Sequence, residues 1–291
     1  MMNVMSRGER LFLIVNYTLL VVLSLLFVLP LLFVLAASFV SEAEQVRRGT
    51  FVLMPQEPSL AAYRLIFNSR TIVTAYGNTL FRVVVGVALN LLFTATFAYV
   101  LAKRSLPGRT GLTLFVFIPL IFGGGIIPVF LLVQAVGLRD SRWAMVIPSL
   151  INPFWLLIMR NFFMELPLEL EEAAIMDGAS PLTIFTRIIL PLSMPILTTT
   201  GLFYAVFHWN AWFDAAIFIN DTRKQPVQLL LRNVLQSGIF AESVAGVTDV
   251  RPPSDALKAA LTVVTAVPIL CVYPFIQKYF VKGALLGSLK G

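Results

Sequence analysis

Charge is the first thing this sequence lacks. Only 13% of its 291 residues are charged, where a soluble domain carries about a quarter. With 58% hydrophobic residues, that scarcity excludes an ordinary soluble domain and places most of the chain in a bilayer. A net charge of +7 would suggest nucleic acid in a soluble protein. Here the cations lie between apolar runs, as the flanks of membrane helices do, so no nucleic-acid partner is expected. Cys271 is the one cysteine; it excludes a disulfide within the chain and reads as inert packing. His208 is the one histidine. A histidine-rich metal site is therefore excluded, and a catalytic triad would have to be built around His208 with no nucleophile motif nearby. The glycines of "FGGGII" are not followed by Lys-Ser/Thr, so they form no phosphate loop, and no Walker motif occurs elsewhere. The chain is expected to bind no cofactor of its own, and any ATP dependence must come from another chain.

What is present is a series of apolar runs. Six stand out, at roughly 11–40, 72–102, 110–135, 143–163, 196–220 and 257–281, each long enough for a span. Separated segments cross lipid only as helices, because each must satisfy its own backbone hydrogen bonds. The first run is too long for a cleaved signal peptide and no small-residue cleavage site follows it, so it reads as a retained span. Pro30, Pro119, Pro128, Pro148, Pro268 and Pro274 lie inside the runs. Kinked helices of this kind suit a moving pathway better than an anchor. No repeat or low-complexity segment interrupts the pattern, and the expectation is one all-α transmembrane domain over residues 1–291.

Short connections set the orientation. Arg7 and Arg10 precede the first run, "KRSLPGR" (103–109) holds three cations and no anion, and the tail carries Lys278, Lys282 and Lys290. "GLRDSR" (137–142) has two cations and one anion. Both termini and 103–109 are expected in the cytoplasm, with loops 41–71 and 221–256 outside.

The loop after the fourth run then faces the cytoplasm, and it gathers the scarce acids. Glu165, Glu169, Glu171, Glu172 and Asp177 fall within thirteen positions. "EEAAIMDGASPLTIFTRIILP" (171–191) reads as two short helices and a turn. Pro167 suits a first helical position, and the glutamates favour the positive end of the helix. Gly178 fits just past a helix end, Ser180 is an N-cap and Pro181 starts a second helix that stops at Pro191. Leu166, Leu170, Ala173 and Ala174 are expected on one face, small enough for another surface to approach. An ordinary interfacial helix would be rich in Lys and Arg; an acidic hairpin with small residues reads as a docking knob for a soluble partner.

Glu172-Ala173-Ala174, three residues, Gly178, nine residues, then Ile188-x-Leu190-Pro191 matches the "EAA" motif of ABC importer permeases without a gap. "FGGGIIPVFLLV" (122–133), "IMRNFF" (158–163), "FHWNAWFDAAIFI" (207–219) and the ending "YFVKGALLGSLKG" resemble carbohydrate-uptake permeases of the maltose-transporter type, in the LplC-like branch. The likeness covers nearly all of the chain from about residue 70 onward; residues 1–70 match in pattern only. It implies a type I importer permease fold with six transmembrane helices and a coupling helix in the hairpin, which sits in a cleft of the ATPase subunit. Glu172 would be its main polar contact and Gly178 the turn that shapes it. It also implies the partners: a second permease forming a heterodimer, an ATPase dimer using ATP and Mg, an external solute-binding protein and a sugar, in a bacterial inner membrane. In the maltose-type family the tail reaches the ATPase interface.

Two further groups carry possible chemistry. His208, Trp209, Asn210, Trp212 and Asp214 fall in the fifth run. A carboxylate within an apolar run is expensive and marks a site by default, and the tryptophans could stack on sugar rings. On a continuous helix, 208 and 212 share a face, as do 210 and 214. The bland alternative weighs as much: an aromatic belt, with Asp214 paired to another helix. Arg82, near Asn78 and Asn90 in the second run, either meets an acidic sugar or pairs with a carboxylate on another helix, and pairing is favoured. Two rival functions remain. An integral membrane enzyme would use His208 and Asp214 as acid and base, with no third group evident. An ion-coupled carrier would want several intramembrane carboxylates, and Asp214 is nearly alone. The sequence does not name the sugar; the LplC-like resemblance points to oligosaccharides, an acidic one such as alginate among them.

Overall fold

A helix that satisfies its own hydrogen bonds needs no burial to persist in lipid. Helix α1 (Arg7–Ala37) is of this kind, with no buried residue along its 31 positions. The computed structural model describes residues 7–49, 52, 54–237 and 254–288, with side chains at most of these up to residue 272. The helices that follow are α2 (Glu42–Arg48), α3 (Ala61–Asn68), α4 (Arg70–Ala102), α5 (Arg109–Ile121) and α6 (Ile126–Ala135). After 3-10 turns at Arg142–Met145 and Ile147–Ser149 come α7 (Pro153–Met164), α8 (Leu168–Met176) and α9 (Pro181–Ile184). A π turn at Phe185–Ile189 leads into α10 (Leu190–Leu192); α11 (Met194–Asn210), α12 (Phe213–Phe218), α13 (Val227–Ser237) and α14 (Ser254–Ser288) complete the order. Among the described residues there is no strand, only an isolated bridge between Val40 and Pro58.

Among the described residues, three helices are long and apolar enough to cross a membrane: α1, α4 and the Asp255–Val272 part of α14. Three bent pairs join them if each counts as one span: α5 with α6 (117°), Arg142–Ser149 with α7 (48°), and Pro181–Leu192 with α11 (80°). Helices thus lie over the expected apolar runs, but several are broken, and mostly not at the prolines. Pro30 and Pro119 lie inside helices, and α14 continues through Pro268 and Pro274. The run 110–135 breaks across Phe122–Gly125, where Gly125 takes a φ of 78°. The run 196–220 is also two pieces, because α11 ends at Asn210 and α12 starts at Phe213. The helix expected to stop at Pro191 runs on to Leu192 and gives way at Ser193.

The chain divides into two compact units, Met1–Ser69 with Asn233–Ala266, and Arg70–Arg232 with Val267–Gly291. In the first, the fully buried Glu44 organises the loop after α1. Its carboxylate accepts from the backbone N–H groups of Gln56 (2.9 Å) and Glu57 (3.0 Å) and from Arg48 Nη1 (2.6 Å). The expected external loop 221–256 falls partly outside the described residues, as do both ends of the chain.

In the second unit α4 is the spine. Ile72, Ala75, Asn78, Thr79, Arg82, Gly86, Asn90, Thr94, Ala95, Ala98 and Leu101 are buried, a three-and-four spacing that marks one helical face. Its last third is apolar and packs with Val116, Leu156, Met159, Phe163, Ala174, Ile184, Phe185 and Ile189. Its first two thirds bury Asn78, Thr79, Arg82 and Asn90 among apolar neighbours, and buried polar groups of this kind need partners.

Candidate functional site

Two places in the second unit concentrate polar groups: the acidic hairpin and the segment around Asp214. The hairpin is built as its local signals require. Helix α8 ends in a Schellman motif, with Gly178 N–H donating to Ile175 O and Ala179 N–H to Ala174 O, both at 2.9 Å. Gly178 sits at φ 77°, a left-handed conformation that favours glycine. Ser180 Oγ accepts from Thr183 N–H at 3.2 Å, with Pro181 next in line. The two helices are tied down by Ala174, Ile184, Phe185 and Ile189, which are buried against the ends of α4 and α7. Ile188 and Leu190 are partly buried there, while Pro191 is exposed.

The acids of this hairpin divide by direction. Glu171 pairs with Lys103 at the end of α4, and that ammonium also lies 4.2 Å from the Tyr99 ring centroid. Burial works against the Lys103 charge, but the bonds to Glu171 and Tyr99 outweigh it and hold its pKa above the ordinary lysine value. Glu172 and Ala173 face outward, with Leu168, Ile175, Met176 and Leu182 exposed beside them. The expectation of Ala173 and Ala174 on one face needs correcting. Adjacent helix positions differ by about 100°, so Ala174 packs inward while Ala173 is exposed.

The second group is held by Arg82, which has no exposed surface. Its Nη1 donates to Asp214 Oδ1 at 3.0 Å and to Ala211 O at 3.3 Å, and its Nη2 pairs with Asp214 Oδ2. Its Nε donates to His208 Nδ1 at 3.2 Å. Since Nδ1 accepts, the ring proton is on Nε2, which meets Asn90 Oδ1 at 2.7 Å. Asn90 Nδ2 in turn donates to Ser149 O (2.5 Å) and Leu150 O (2.9 Å). A Cβ at Gly86 would stand 2.5 Å from His208 Nε2, so glycine there makes room for the imidazole. Further along α4, Asn78 Nδ2 donates to Arg223 O and Gln225 O, and Thr79 Oγ1 accepts from Val227 N–H. One face of α4 thus pins the segment 211–227 near both of its ends.

A cavity of about 500 Å³ adjoins this network, with Ser149, Phe207, Asn210, Trp212, Phe213 and Asp214 among its lining residues. Asp214 is the one member of the ion pair that reaches it, at 27% exposure. The guanidinium carbon of Arg232 lies 3.4 Å from the Trp212 ring centroid, a cation–π contact. Trp209 is buried and turned toward Tyr76, with ring centroids 6.4 Å apart. The same-face pairing of 208 with 212 and of 210 with 214 does not hold, because the helix breaks at Ala211 and Trp212. Asp214 is at the start of α12 rather than within an apolar helix. Outside the spans, Asp140 makes a second loop anchor. It accepts from the N–H groups of Asn220 (3.1 Å) and Asp221 (2.9 Å) and from Lys224 Nζ (3.2 Å).

The profile of the family described as "Binding-protein-dependent transport system inner membrane component" matches residues 108–285. The chain belongs to that family. This inner membrane component is 45% identical over 252 residues to Protein LplC of Bacillus subtilis, covering 86% of this chain and 85% of that one. It is 44% identical over 250 residues to the polygalacturonan/rhamnogalacturonan transport system permease protein YtcP of the same organism, covering 85% and 87%. Among solved structures, a chain from a bacterial ABC transporter involved in the import of the acidic polysaccharide alginate matches with TM-score 0.87 and 32% identity, covering 95% of this chain and 99% of that one. A chain from the bacterial alginate ABC transporter in complex with alginate pentasaccharide-bound periplasmic protein shares the fold at TM-score 0.57 and 16% identity. The all-α permease fold expected from the sequence is thus present in this inner membrane component.

Sequence reasoning placed His208 and Asp214 in one group and favoured a carboxylate partner on another helix for Arg82; the structure supplies that partner as Asp214 and joins all three. It missed the Lys103–Glu171 tie, the room made by Gly86 and the Arg232–Trp212 stack. Only the charge of Lys103 and Arg232 hinted at the first and last, and neither hint names a partner at separations of 68 and 20 positions.

Proposed function

We propose that this chain is a permease subunit of an ATP-driven importer of a sugar or oligosaccharide, lining half of the path and binding no cofactor itself. The observation that carries the proposal is the hairpin: Glu172 and Ala173, in a gapless EAA motif, are presented outward on a support latched through Glu171. Such a knob fits a socket on a separate ATPase dimer that uses ATP and Mg. A second, homologous permease would complete the path, and an external binding protein would deliver the sugar. Both termini and the hairpin are assigned to the cytoplasm on the charge of the short links. The substrate is assigned to oligosaccharides, acidic ones such as alginate included, on the names of the relatives. In support, the cavity beside Trp212 joins an aromatic surface to a carboxylate already neutralised by Arg82. An acid–base role for His208 is disfavoured, since both ring nitrogens are engaged and the residue is fully buried.

The test is uptake by vesicles holding the chain with its co-purifying subunits, offered labelled oligogalacturonate and neutral malto-oligosaccharide. ATP inside the vesicle should drive uptake of one of them with a proton uncoupler present. Uptake that follows the proton gradient and ignores ATP would assign the chain to ion-coupled carriers instead.

A further inference from the structure

The start of α5 meets the C-terminal ends of α4 and α7, and there two guanidinium groups converge. Arg109, the first residue of α5, donates from Nε to Leu101 O at 3.0 Å. Arg160, one turn before the end of α7, donates from Nε to the same oxygen at 3.3 Å. Their remaining contacts are weak. Arg109 Nη2 points at the Met164 sulfur at 3.0 Å, and Arg160 Nη1 reaches Asn161 Oδ1 at 3.5 Å, the limit of a hydrogen bond. Both side chains are half-buried. Among the described residues neither has a carboxylate within ion-pair distance, while the nearby Glu171 is held by Lys103.

Capping of α4 explains part of this arrangement. A helix C-terminus carries about half a negative charge, and Leu101 O is one of its free carbonyls. Two full positive charges exceed that by about one and a half charges. Like charges sharing one acceptor repel each other, so the excess calls for an anion. The fork geometry of guanidinium, with several unused N–H donors on each side chain, fits the oxygens of a phosphate group. A basic pocket between transmembrane helices at the membrane face is also where anionic headgroups bind.

We propose that Arg109 and Arg160 form a binding site for a phosphate-bearing anion, supplied by the headgroup of an anionic phospholipid. The proposal needs the chain to be in the membrane but is independent of the sugar and of the coupling hairpin. The test uses the full chain with whatever subunits accompany it, placed in nanodiscs that contain both phosphatidylglycerol and phosphatidylcholine. Lipids retained on release into the gas phase are counted by native mass spectrometry. The unaltered protein should keep phosphatidylglycerol over phosphatidylcholine by about tenfold, roughly the effect of one charge-assisted pair. R109Q/R160Q should bring that preference to parity. R109K/R160K keeps the charge without the fork and should give an intermediate value; it also serves if the glutamine variant fails to insert. Displacement of the lipid by millimolar inorganic phosphate would keep the site and reassign its source to a soluble anion. An unchanged preference in either double variant would overturn the built site and leave only general surface charge.

Discussion

Glu171 and Glu172 are neighbours in sequence and point about 100° apart around α8, into different surroundings. Glu171 is bound to Lys103 beneath the hairpin, and Glu172 stands exposed on its outer side. Their substitutions should therefore separate. Glu171→Gln removes the charge from a partly buried pair and should loosen the hairpin by about 1 kcal/mol, seen as faster proteolysis around Gly178. Glu172→Lys should leave proteolysis and thermal stability unchanged within about 0.5 kcal/mol. It should lower ATPase co-purification by about tenfold, the order expected when an interface contact is reversed in charge. Equal effects of the two changes on both assays would show that the hairpin has no outward-facing role.

Arg82 and Asp214 form an asymmetric pair, because the guanidinium is fully buried and the carboxylate opens to a cavity. Asp214→Ala strands a buried cation and should cost about 3–5 kcal/mol. Arg82→Leu leaves a carboxylate that water can reach, so its cost should be smaller, although His208 Nδ1 loses its donor. Thermal unfolding in detergent of the two single variants checks the order. The exchanged double variant R82D/D214R should not recover stability, since the contacts of Arg82 to His208 and Ala211 are not symmetric. Recovery would reduce the site to a simple ion pair.

How far this was legible depends on the range of each interaction. The hairpin could be read because its rules are local: Gly178, Ser180 and Pro181 dictate a cap, a turn and a helix start within four positions. The apolar runs could be read because a helix satisfies its own backbone within the segment; the breaks inside them could not. The Arg82 network required contacts across more than 120 positions, and a single sequence offers only the cost of burying Arg82 and Asp214 as a clue. The break at Ala211 was hidden for the same reason. Its free carbonyl is satisfied by Arg82, so tertiary contact permits an interruption that local propensity does not announce.

Asp140 ties two loops together outside the spans. Backbone N–H donation, chiefly from Asp221, holds its carboxyl below the ordinary value of 3.8, with Lys224 adding to it. A depressed folded-state pKa contributes stability that is complete above the unfolded value and is lost as pH falls through the folded one. The tie should thus be constant from neutral pH down to about 5 and weaken below about 4. Asp140→Asn should show the loosened state already at neutral pH. Hydrogen exchange of the Asn220 and Asp221 amides, compared at pH 7 and after a brief acid pulse, reports both effects. Unaltered protection in the asparagine variant would mean that Lys224 and the surrounding turn hold the loops without the carboxylate.

Gly178 provides the sharpest test of how shape is transmitted through the hairpin. Its φ is 77°, and a Cβ added there would meet nothing within 4 Å. The demand for glycine is therefore conformational, with no crowding to relieve. Substitutions should rank by their tolerance of the left-handed region. Gly178→Asn should be nearly neutral, Gly178→Ala should cost about 1 kcal/mol, and Gly178→Val should cost more because its branched Cβ resists that backbone. Valine should break the bonds from Gly178 to Ile175 and from Ala179 to Ala174, and so turn Glu172 and Ala173 away from the socket proposed for them. The spans are untouched and should still insert. Co-purification of the ATPase subunit, together with substrate-stimulated ATP hydrolysis of the recovered complex, should fall in the order Asn, Ala, Val. If valine behaves as asparagine does, the turn conformation is not what presents the motif, and the coupling role of the hairpin loses its structural support.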